Sequence, residues 1–212
     1  MSEIIEGDCI EVMKQFKDKE FDLCLTDPPY NVKKDYGPLV DTNKSYNDYL
    51  QFSKDWFKEA RRISKGVLFT PGPQNEKMWC TEIEYPKWKI VWYKTNKFAP
   101  HKNKIGGFIK YEHVFAYDDV KVSYDVFAIP IKITPNVTNP TVKTLRFIKT
   151  LLRKTRNIQT VIDPMCGSGT TLVACKELGI DCIGIEINPI YVEEIKQRLD
   201  RTIPKTNVAS WF

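Results

Sequence analysis

A short acidic and proline-rich segment, Asp27-Pro28-Pro29-Tyr30, carries the residue types needed to hold an aromatic amine. The prolines lack N–H donors and fix the backbone, so nearby carbonyl oxygens stay free and fixed in direction. The Asp27 carboxylate and the Pro28 carbonyl could accept hydrogen bonds from both N–H groups of an exocyclic amine. Its lone pair would then point at an electrophile. The Tyr30 ring could stack on a base, an interaction worth about 1–3 kcal/mol. The alternative is that the segment is simply a rigid turn.

A glycine loop, Gly167-Ser168-Gly169, follows one predicted strand and opens a predicted helix, so its N–H groups can approach a ligand closely. Glu186 follows Gly167 by 19 residues, at the end of the next predicted strand. A carboxylate in that place accepts the two hydroxyls of a ribose, which predicts a cofactor containing adenosine. Leu172 stands where a dinucleotide fingerprint has glycine or alanine, which disfavours a pyrophosphate. The alternative is a turn that only packs a helix on a strand.

Asp8 ends the first predicted strand and has two interpretations. It can be the N-cap of the helix that follows. It can also accept a hydrogen bond from the exocyclic amine of a cofactor adenine, and both roles are compatible.

The elements that must position these residues alternate between strand and helix along the chain. This pattern predicts an α/β fold of Rossmann-like type, with a mostly parallel twisted sheet and helices on both faces. Ligands in such folds gather at the carboxyl ends of central strands. The predicted strands are Ile4–Ile5, Phe21–Thr26, Val67–Thr70, Lys89–Tyr93, His113–Tyr117, Thr160–Ile162 and Cys182–Ile185. The predicted helices run through Val12 to Phe16, from Ser45 to a stop at Gly66, about Asn75–Glu84, Val142–Leu152, Thr170–Leu178 and Pro189–Leu199.

The composition is that of a folded domain with an excess of basic residues. The 212 residues are 42% hydrophobic, with 32 Lys+Arg against 27 Asp+Glu for a net charge of +5. No acidic residue interrupts Lys94–Lys110 or Val126–Ile162. Solvated faces explain such runs in many proteins. Two of them in one small domain also indicate a polyanion such as nucleic acid as a partner.

The sequence predicts a soluble, cytoplasmic protein, because it has neither a basic secretory leader nor an apolar run of membrane-spanning length. Its six cysteines include no CxxC pair and only two histidines accompany them, so reduced thiols without a metal are expected.

Taken together, these motifs resemble those of DNA amino-methyltransferases, which transfer a methyl group from S-adenosylmethionine to adenine N6 or cytosine N4. The Asp-Pro-Pro-Tyr segment precedes the loop from Asp163 to Thr171, which is the permuted order of the β subgroup. The order of the supporting matches makes the resemblance specific. These matches are Gly7-Asp8-Cys9, Trp92-Tyr93-Lys94, Glu112-His113, Asn139-Pro140-Thr141-Val142-Lys143, and Gly184-Ile185-Glu186 with Tyr191.

The resemblance implies S-adenosylmethionine as cofactor and assigns roles to two groups of residues. The catalytic positions are Asp27, Pro28, Pro29 and Tyr30. The cofactor-binding positions are Asp8, Lys143, Asp163, Gly167, Ser168, Gly169, Thr170 and Glu186. The chain departs from the family pattern at Met165, usually Phe, and at Asn139 and Thr144, usually His and Pro.

The resemblance also implies double-stranded DNA with a flipped target base as substrate. Asp at the first catalytic position favours adenine N6, since Ser is more typical of cytosine-N4 members. The alternatives are cytosine-N4 methylation, a non-catalytic DNA-binding subunit, methylation of RNA or a protein amide, and a nucleotide-dependent oxidoreductase.

The chain has few residues available for recognition of a DNA sequence. The sequence predicts a single methyltransferase domain, with a catalytic half (1–117), a minimal recognition insert (118–138) and a cofactor-binding half (139–212). An insert of that size cannot form a separate reading domain. The recognised DNA sequence is then short, or specificity comes from the Lys94–Lys110 loop, a second copy of the chain as a homodimer, or an accessory protein. The predicted DNA-binding residues are Lys94, Lys97, Lys102 and Lys104.

Overall fold

A computed structural model describes residues 1–32, 43–96, 99–102, 108–132 and 142–204. Strands and helices alternate, as the hydrophobic runs predict. The amino-terminal elements are β1 (Ser2–Glu6), α1 (Cys9–Met13), β2 (Phe21–Thr26), α2 (Tyr46–Ile63), β3 (Ser64–Phe69), α3 (Glu76–Met78) with a following π-helical turn (Trp79–Ile83), β4 (Trp88–Tyr93), β5 (Ala99–Lys102) and β6 (Phe108–Ile109). The remaining elements are β7 (Tyr111–Asp118), β8 (Val126–Ala128), α4 (Leu145–Lys154), β9 (Thr160–Asp163), α5 (Thr170–Leu178), β10 (Asp181–Glu186) and α6 (Pro189–Asp200).

Eight strands form one sheet in the order β1-β10-β9-β2-β3-β7-β4-β8. The first five in that order run parallel to one another, and β8 runs parallel to β4. Within the described residues, β7 is the strand that runs against its neighbours, β3 and β4. The prediction of a mostly parallel sheet is therefore confirmed. The hairpin of β5 and β6 is a separate antiparallel pair.

Helices cover both faces of this sheet. On one face, α1, α2 and the π-helical turn pack around fully buried aromatic side chains that include Trp56 and Trp79. On the other face, α4, α5 and α6 contribute Phe147, Leu172 and Ile195 to a second cluster. Each such side chain contributes about 1.5–3 kcal/mol when it is removed from water. With both faces covered, ligands have access at the edge where the parallel strands end.

The predicted bounds of some helices are wrong, and some strands were not predicted. Gly66 does not end the second helix, which stops at Ile63, because Gly66 pairs with Leu23 inside β3. The helix predicted to run to Phe16 ends at Met13. Strand β8 and the hairpin of β5 and β6 were not predicted from the sequence. No helix among the described residues is long and apolar enough to cross a membrane.

Candidate active site

The two motifs predicted to do chemistry meet at one edge of the sheet. Strands β2 and β9 are parallel neighbours, so the segments after them, which begin at Asp27 and Pro164, leave the sheet side by side. The Thr26 hydroxyl donates a hydrogen bond to Oδ1 of Asp163 at 2.8 Å and links the two strand ends. A cavity of about 260 Å³ lies above them. Its lining includes Asp8, Asp27, Pro28, Tyr30, Lys143, Asp163, Gly167, Ser168, Thr170 and Glu186.

The Asp-Pro-Pro-Tyr segment forms a corner held from several sides. The phenol of Tyr30 donates to Oδ1 of Asp27 at 2.5 Å, and the Thr70 hydroxyl donates to the same oxygen. The main chain is tied down as well. The Tyr49 hydroxyl donates to the Pro29 carbonyl at 3.0 Å, and the Asn75 amide donates to the Tyr30 carbonyl at 3.0 Å. The corner therefore presents its acceptors in fixed directions.

The ring of Tyr30 lies against the backbone of Gly72. Gly72 has a positive φ of +73°, and a Cβ there would lie 2.7 Å from Cγ of Tyr30. Any side chain at this position would push the ring out of place. Burial, together with the charge of Asp27, raises the pKa of Tyr30 well above its ordinary value. Tyr30 is therefore a neutral phenol, able to donate its proton to Asp27 in a hydrogen bond.

Lys143 enters this corner from the segment before α4. Its Nζ lies 2.9 Å from Oδ2 of Asp27, 3.0 Å from the Tyr30 hydroxyl and 3.1 Å from Oε2 of Glu112. Burial alone would lower the pKa of Lys143, but the charges of Asp27 and Glu112 outweigh it and raise the pKa well above its ordinary value. The structure thus brings Lys143 to the Asp-Pro-Pro-Tyr corner, and its predicted contact with the cofactor stays a prediction.

Glu112 is a functional candidate that the sequence analysis treated only as a family marker. It lies near the start of β7, and its carboxylate contacts both Lys94 and Lys143. Burial would raise its pKa, but the two ammonium groups lower the pKa to about 2. A signal was available in the sequence. Trp92 and Lys94 are two residues apart in or beside a strand, so a buried Trp92 predicts an inward Lys94 that needs an acidic partner.

The predicted DNA contacts need correction at Lys94. Its side chain is buried and paired with Glu112, so the ammonium is not presented to a phosphate. Lys102 lies in β5, while Lys97 and Lys104 fall outside the described residues. The lysines were predicted to bind DNA because they are numerous in this segment. Their number does not show which side chains point into the protein, and for this reason the prediction is wrong at Lys94.

The glycine loop connects β9 to α5 and is held by Glu186. The Gly167 N–H donates to Oε2 of Glu186 at 2.8 Å, and the Asn188 N–H donates to Oε1 at 2.9 Å. Gly169 has a φ of +71°, and a Cβ there would lie 2.8 Å from Ile195 of α6. The glycine therefore also serves packing, as the alternative interpretation held. Burial raises the pKa of Glu186 above its ordinary value.

These residues fit an adenosyl group. The Glu186 carboxylate accepts backbone hydrogen bonds from Gly167, Ile187 and Asn188 and still lines the cavity, where it can accept a hydrogen bond from a ribose hydroxyl. Asp8 lines the same cavity. Its Oδ1 accepts from the N–H groups of Ile10 at 2.9 Å and Glu11 at 3.1 Å, so Asp8 is the N-cap of α1.

Asp163 is a buried carboxyl at the centre of the site. Burial raises its pKa to about 7, although hydrogen bonds from Thr171 and Thr26 lower it in part. The folded state therefore binds a proton at Asp163 more tightly than the unfolded state does.

This difference predicts a stability that falls as pH rises. Below pH 4 the Asp163 carboxyl is protonated in both states, and between about pH 4 and 7 only the folded state keeps the proton. We expect Asp163 to lower the free energy of unfolding by about 2–4 kcal/mol across that window. Urea unfolding at pH 5, 6, 7 and 8 tests this, with Asp163→Asn as the variant that loses this part of the slope. Parallel pH profiles for the two proteins would contradict the assignment.

Comparisons with known proteins bear on the family and the fold of this chain. The model of the family N6_N4_Mtase, described as DNA methylase, matches residues 21–197. The type II methyltransferase M.HpaI of Haemophilus parainfluenzae is 29% identical over 238 residues, which cover 93% of this chain and 74% of that protein. M.BamHI of Bacillus amyloliquefaciens is 25% identical, and the match covers 94% of this chain but 57% of the relative.

Two solved structures share the fold. The structure described as an M1.HpyAVI-SAM complex has a TM-score of 0.69 at 22% identity and covers 94% of this chain and 100% of its own. The PvuII DNA methyltransferase, described as cytosine-N4-specific, has a TM-score of 0.71 at 16% identity and covers 96% of this chain and 88% of its own. The match to the family model spans the strands that carry both motifs, and on that ground the chain belongs to the DNA methylase family.

Proposed function

We propose that this protein transfers a methyl group from S-adenosylmethionine to the exocyclic amino group of a base in DNA, with adenine N6 as the preferred target. One observation carries the proposal. Asp27, Asp163 and residues of the loop after β9, among them Gly167 and Ser168, line a single cavity, and the hydrogen bond from Thr26 to Asp163 joins their strands. Hydrogen-bond acceptors for an amine and for a nucleoside therefore face the same cavity, where a target base and the cofactor could lie next to each other.

In one half of the cavity, the cofactor would be held by residues at or just after the carboxyl ends of β9, β10 and β1. Glu186 would accept the ribose hydroxyls, Asp8 the adenine amine, and the segment Gly167–Thr170 would contact the cofactor closely. When bound, S-adenosylmethionine supplies a methyl carbon on a sulfonium, so that transfer forms an N–C bond, breaks the S–C bond and leaves a neutral thioether. The description of M1.HpyAVI as a SAM complex supports this choice of cofactor.

The amine half of the cavity is the Asp27 corner. The Asp27 carboxylate and the Pro28 carbonyl would accept the two hydrogens of the target amine and orient its lone pair. Tyr30 and Thr70 keep the Asp27 carboxylate in place through their hydroxyls. Fixed acceptors of this kind lower a barrier by positioning and by electrostatic preorganisation. The methylated nitrogen then loses its proton without a strong base, because the ammonium formed on an aromatic ring is acidic.

The target base must leave the duplex to reach this corner, since a paired and stacked amine cannot approach a recessed cavity. Extrusion costs a few kcal/mol. We therefore propose double-stranded DNA with a flipped base as the substrate. A DNA substrate also supports the predicted cytoplasmic location.

The choice of adenine over cytosine rests on Asp27, by resemblance to adenine-N6 members. The PvuII enzyme is described as cytosine-N4-specific, so the shared fold does not by itself exclude cytosine as the target. The test is to incubate the protein with duplex DNA and methyl-labelled S-adenosylmethionine, digest the DNA and separate the nucleosides. We expect the label in N6-methyladenine. Label in N4-methylcytosine would reverse the base preference, and unlabelled DNA would favour a non-catalytic subunit.

Recognition of the DNA sequence stays a prediction. Lys97, Lys102 and Lys104 remain the proposed phosphate contacts. A homodimer or an accessory protein remains the proposed source of further specificity, because the segment 118–138 is short. The division into halves at 117 and 139 is likewise proposed.

A further inference from the structure

Four charged side chains form an alternating row that ends at the catalytic carboxylate. Lys94 contacts Oε1 of Glu112, Oε2 of Glu112 faces Lys143 at 3.1 Å, and Lys143 contacts Oδ2 of Asp27 at 2.9 Å. The side chains of Lys143 and Glu112 are 13% and 17% exposed. The row is electrically balanced, so the position of the Lys143 ammonium decides how much negative charge Asp27 presents.

In this arrangement Lys143 competes with the amine that Asp27 is proposed to hold. Oδ1 of Asp27 already accepts two hydroxyls, from Tyr30 and Thr70, which fills its capacity. A target amine must therefore use Oδ2, where Lys143 lies. The ammonium also lies 5.3 Å from the centroid of the Tyr30 ring, in the space above the corner. Its charge weakens the pull of the carboxylate on an amine hydrogen.

Moving Lys143 away from Asp27 is costly unless another anion keeps the ammonium paired. Breaking a buried ion pair and leaving one charge uncompensated is strongly destabilising. Oε2 of Glu112 is the anion that is already in place. It is buried and lies 3.1 Å from Nζ of Lys143, so the ammonium stays paired with Glu112 when it moves away from Asp27.

Glu112 itself is held against rotation. Its Oε1 contacts the Lys94 ammonium, and the Lys94 N–H donates to the Lys110 carbonyl at 2.7 Å. Glu112 also lies opposite Trp92 in the pairing of β4 with β7. The carboxylate is therefore fixed with Oε2 towards Lys143.

We propose that Glu112 is a positioning residue that retains the Lys143 ammonium when Lys143 leaves Asp27, so that Oδ2 of Asp27 becomes available to the target amine. The inference rests on the proposed function of Asp27. Lys143 alternates between two carboxylates, and Glu112 sets the balance between them.

The test is the pH profile of methylation by Glu112→Gln, a variant of the same shape without the charge. With Glu112 gone, Lys143 pairs with Asp27 alone, and we expect kcat at pH 7 to fall about 10- to 100-fold. The same change removes an anion that keeps Lys143 protonated, so Lys143 loses its proton at a lower pH than in the wild type. The rate of the variant relative to wild type should then rise as the pH increases from neutral to alkaline values.

A matched control is available in Glu177→Gln. The pair of Lys149 and Glu177 has the same exposed fractions, 13% and 17%, as the pair of Lys143 and Glu112. It joins α4 to α5 and does not line the cavity. We expect kcat of this variant to stay within about twofold of wild type at every pH, even where its thermal unfolding midpoint drops as much as that of Glu112→Gln.

A Glu112→Gln profile parallel to wild type would overturn the proposal, as would an equal loss of kcat in Glu177→Gln. Should Glu112→Gln not fold, Glu112→Asp gives the same test. Its shorter side chain holds Lys143 less closely, so a smaller rise with pH is expected, and a profile parallel to wild type again overturns the proposal. A wild-type protein that labels no base in DNA would instead refute the proposed function.

Discussion

Replacement of Asp27 by asparagine is expected to lower the rate of methyl transfer to DNA by about a thousandfold or more. The carboxylate supplies both the charge that polarises the amine and the acceptor that orients it, and an amide nitrogen at Oδ2 would face the amine with hydrogens of its own. Lys143 would also lose its 2.9 Å contact with Oδ2. The measurement is single-turnover incorporation of labelled methyl into duplex DNA.

Cofactor binding gives the internal control for Asp27→Asn. Asp27 lies on the amine side of the cavity, so the Kd for S-adenosylmethionine measured by calorimetry should stay within about threefold of wild type. A variant that keeps a tenth of the wild-type rate would remove Asp27 from the mechanism. A variant that loses cofactor binding as well would show that the two halves of the cavity are not separate.

Replacement of Glu186 by alanine is expected to weaken S-adenosylmethionine binding by about 100-fold or more, since hydrogen bonds to a charged group contribute about 1.5–3 kcal/mol each. Two effects combine. The proposed acceptors for the ribose hydroxyls are lost, and the N–H groups of Gly167 and Asn188 lose the carboxylate that holds the loop. Calorimetric titration with the cofactor measures the change.

Binding to DNA separates a local effect of Glu186→Ala from a general loss of structure. Glu186 lies at the end of β10, two strands away from β2 and its Asp-Pro-Pro-Tyr corner. Affinity for duplex DNA in the absence of cofactor should therefore change by less than about threefold. Cofactor affinity within threefold of wild type would exclude Glu186 as the ribose acceptor.

Most of the fold could be predicted because its strands and helices differ clearly in hydrophobic period. The buried run Phe21–Thr26 and the capped helix Thr170–Leu178 have the same bounds in the structure. The three-residue strand β8 was missed, since so short a segment at the sheet edge carries no period of its own. Such strands form because a neighbour, here β4, offers its open edge.

Only those site residues that lie at the ends of predicted strands could be placed together from the sequence. Asp27 and Asp163 come together because parallel neighbours end at the same edge, which the sequence pattern already implies. The approach of Lys143 to Asp27 depends instead on how the segment before α4 crosses that edge, and no local pattern encodes it. Thr70 and Asn75 likewise act through tertiary contacts with Asp27 and Tyr30.

The reversed direction of β7 has a consequence for how such enzymes can diversify. Because β7 runs against β3 and β4, the strand starts, at Tyr111 and Glu112, on the edge where β2 and β3 end. The connection between Tyr93 and Tyr111 therefore leaves from and returns to the side of the sheet where β2 and β3 end. Under the proposed function, insertions or deletions beyond Lys94 in that connection would change the surface offered to DNA, while Asp27, Lys143 and Glu112 keep their contacts. The DNA sequence that such an enzyme selects and its methyl-transfer chemistry could then change independently during evolution.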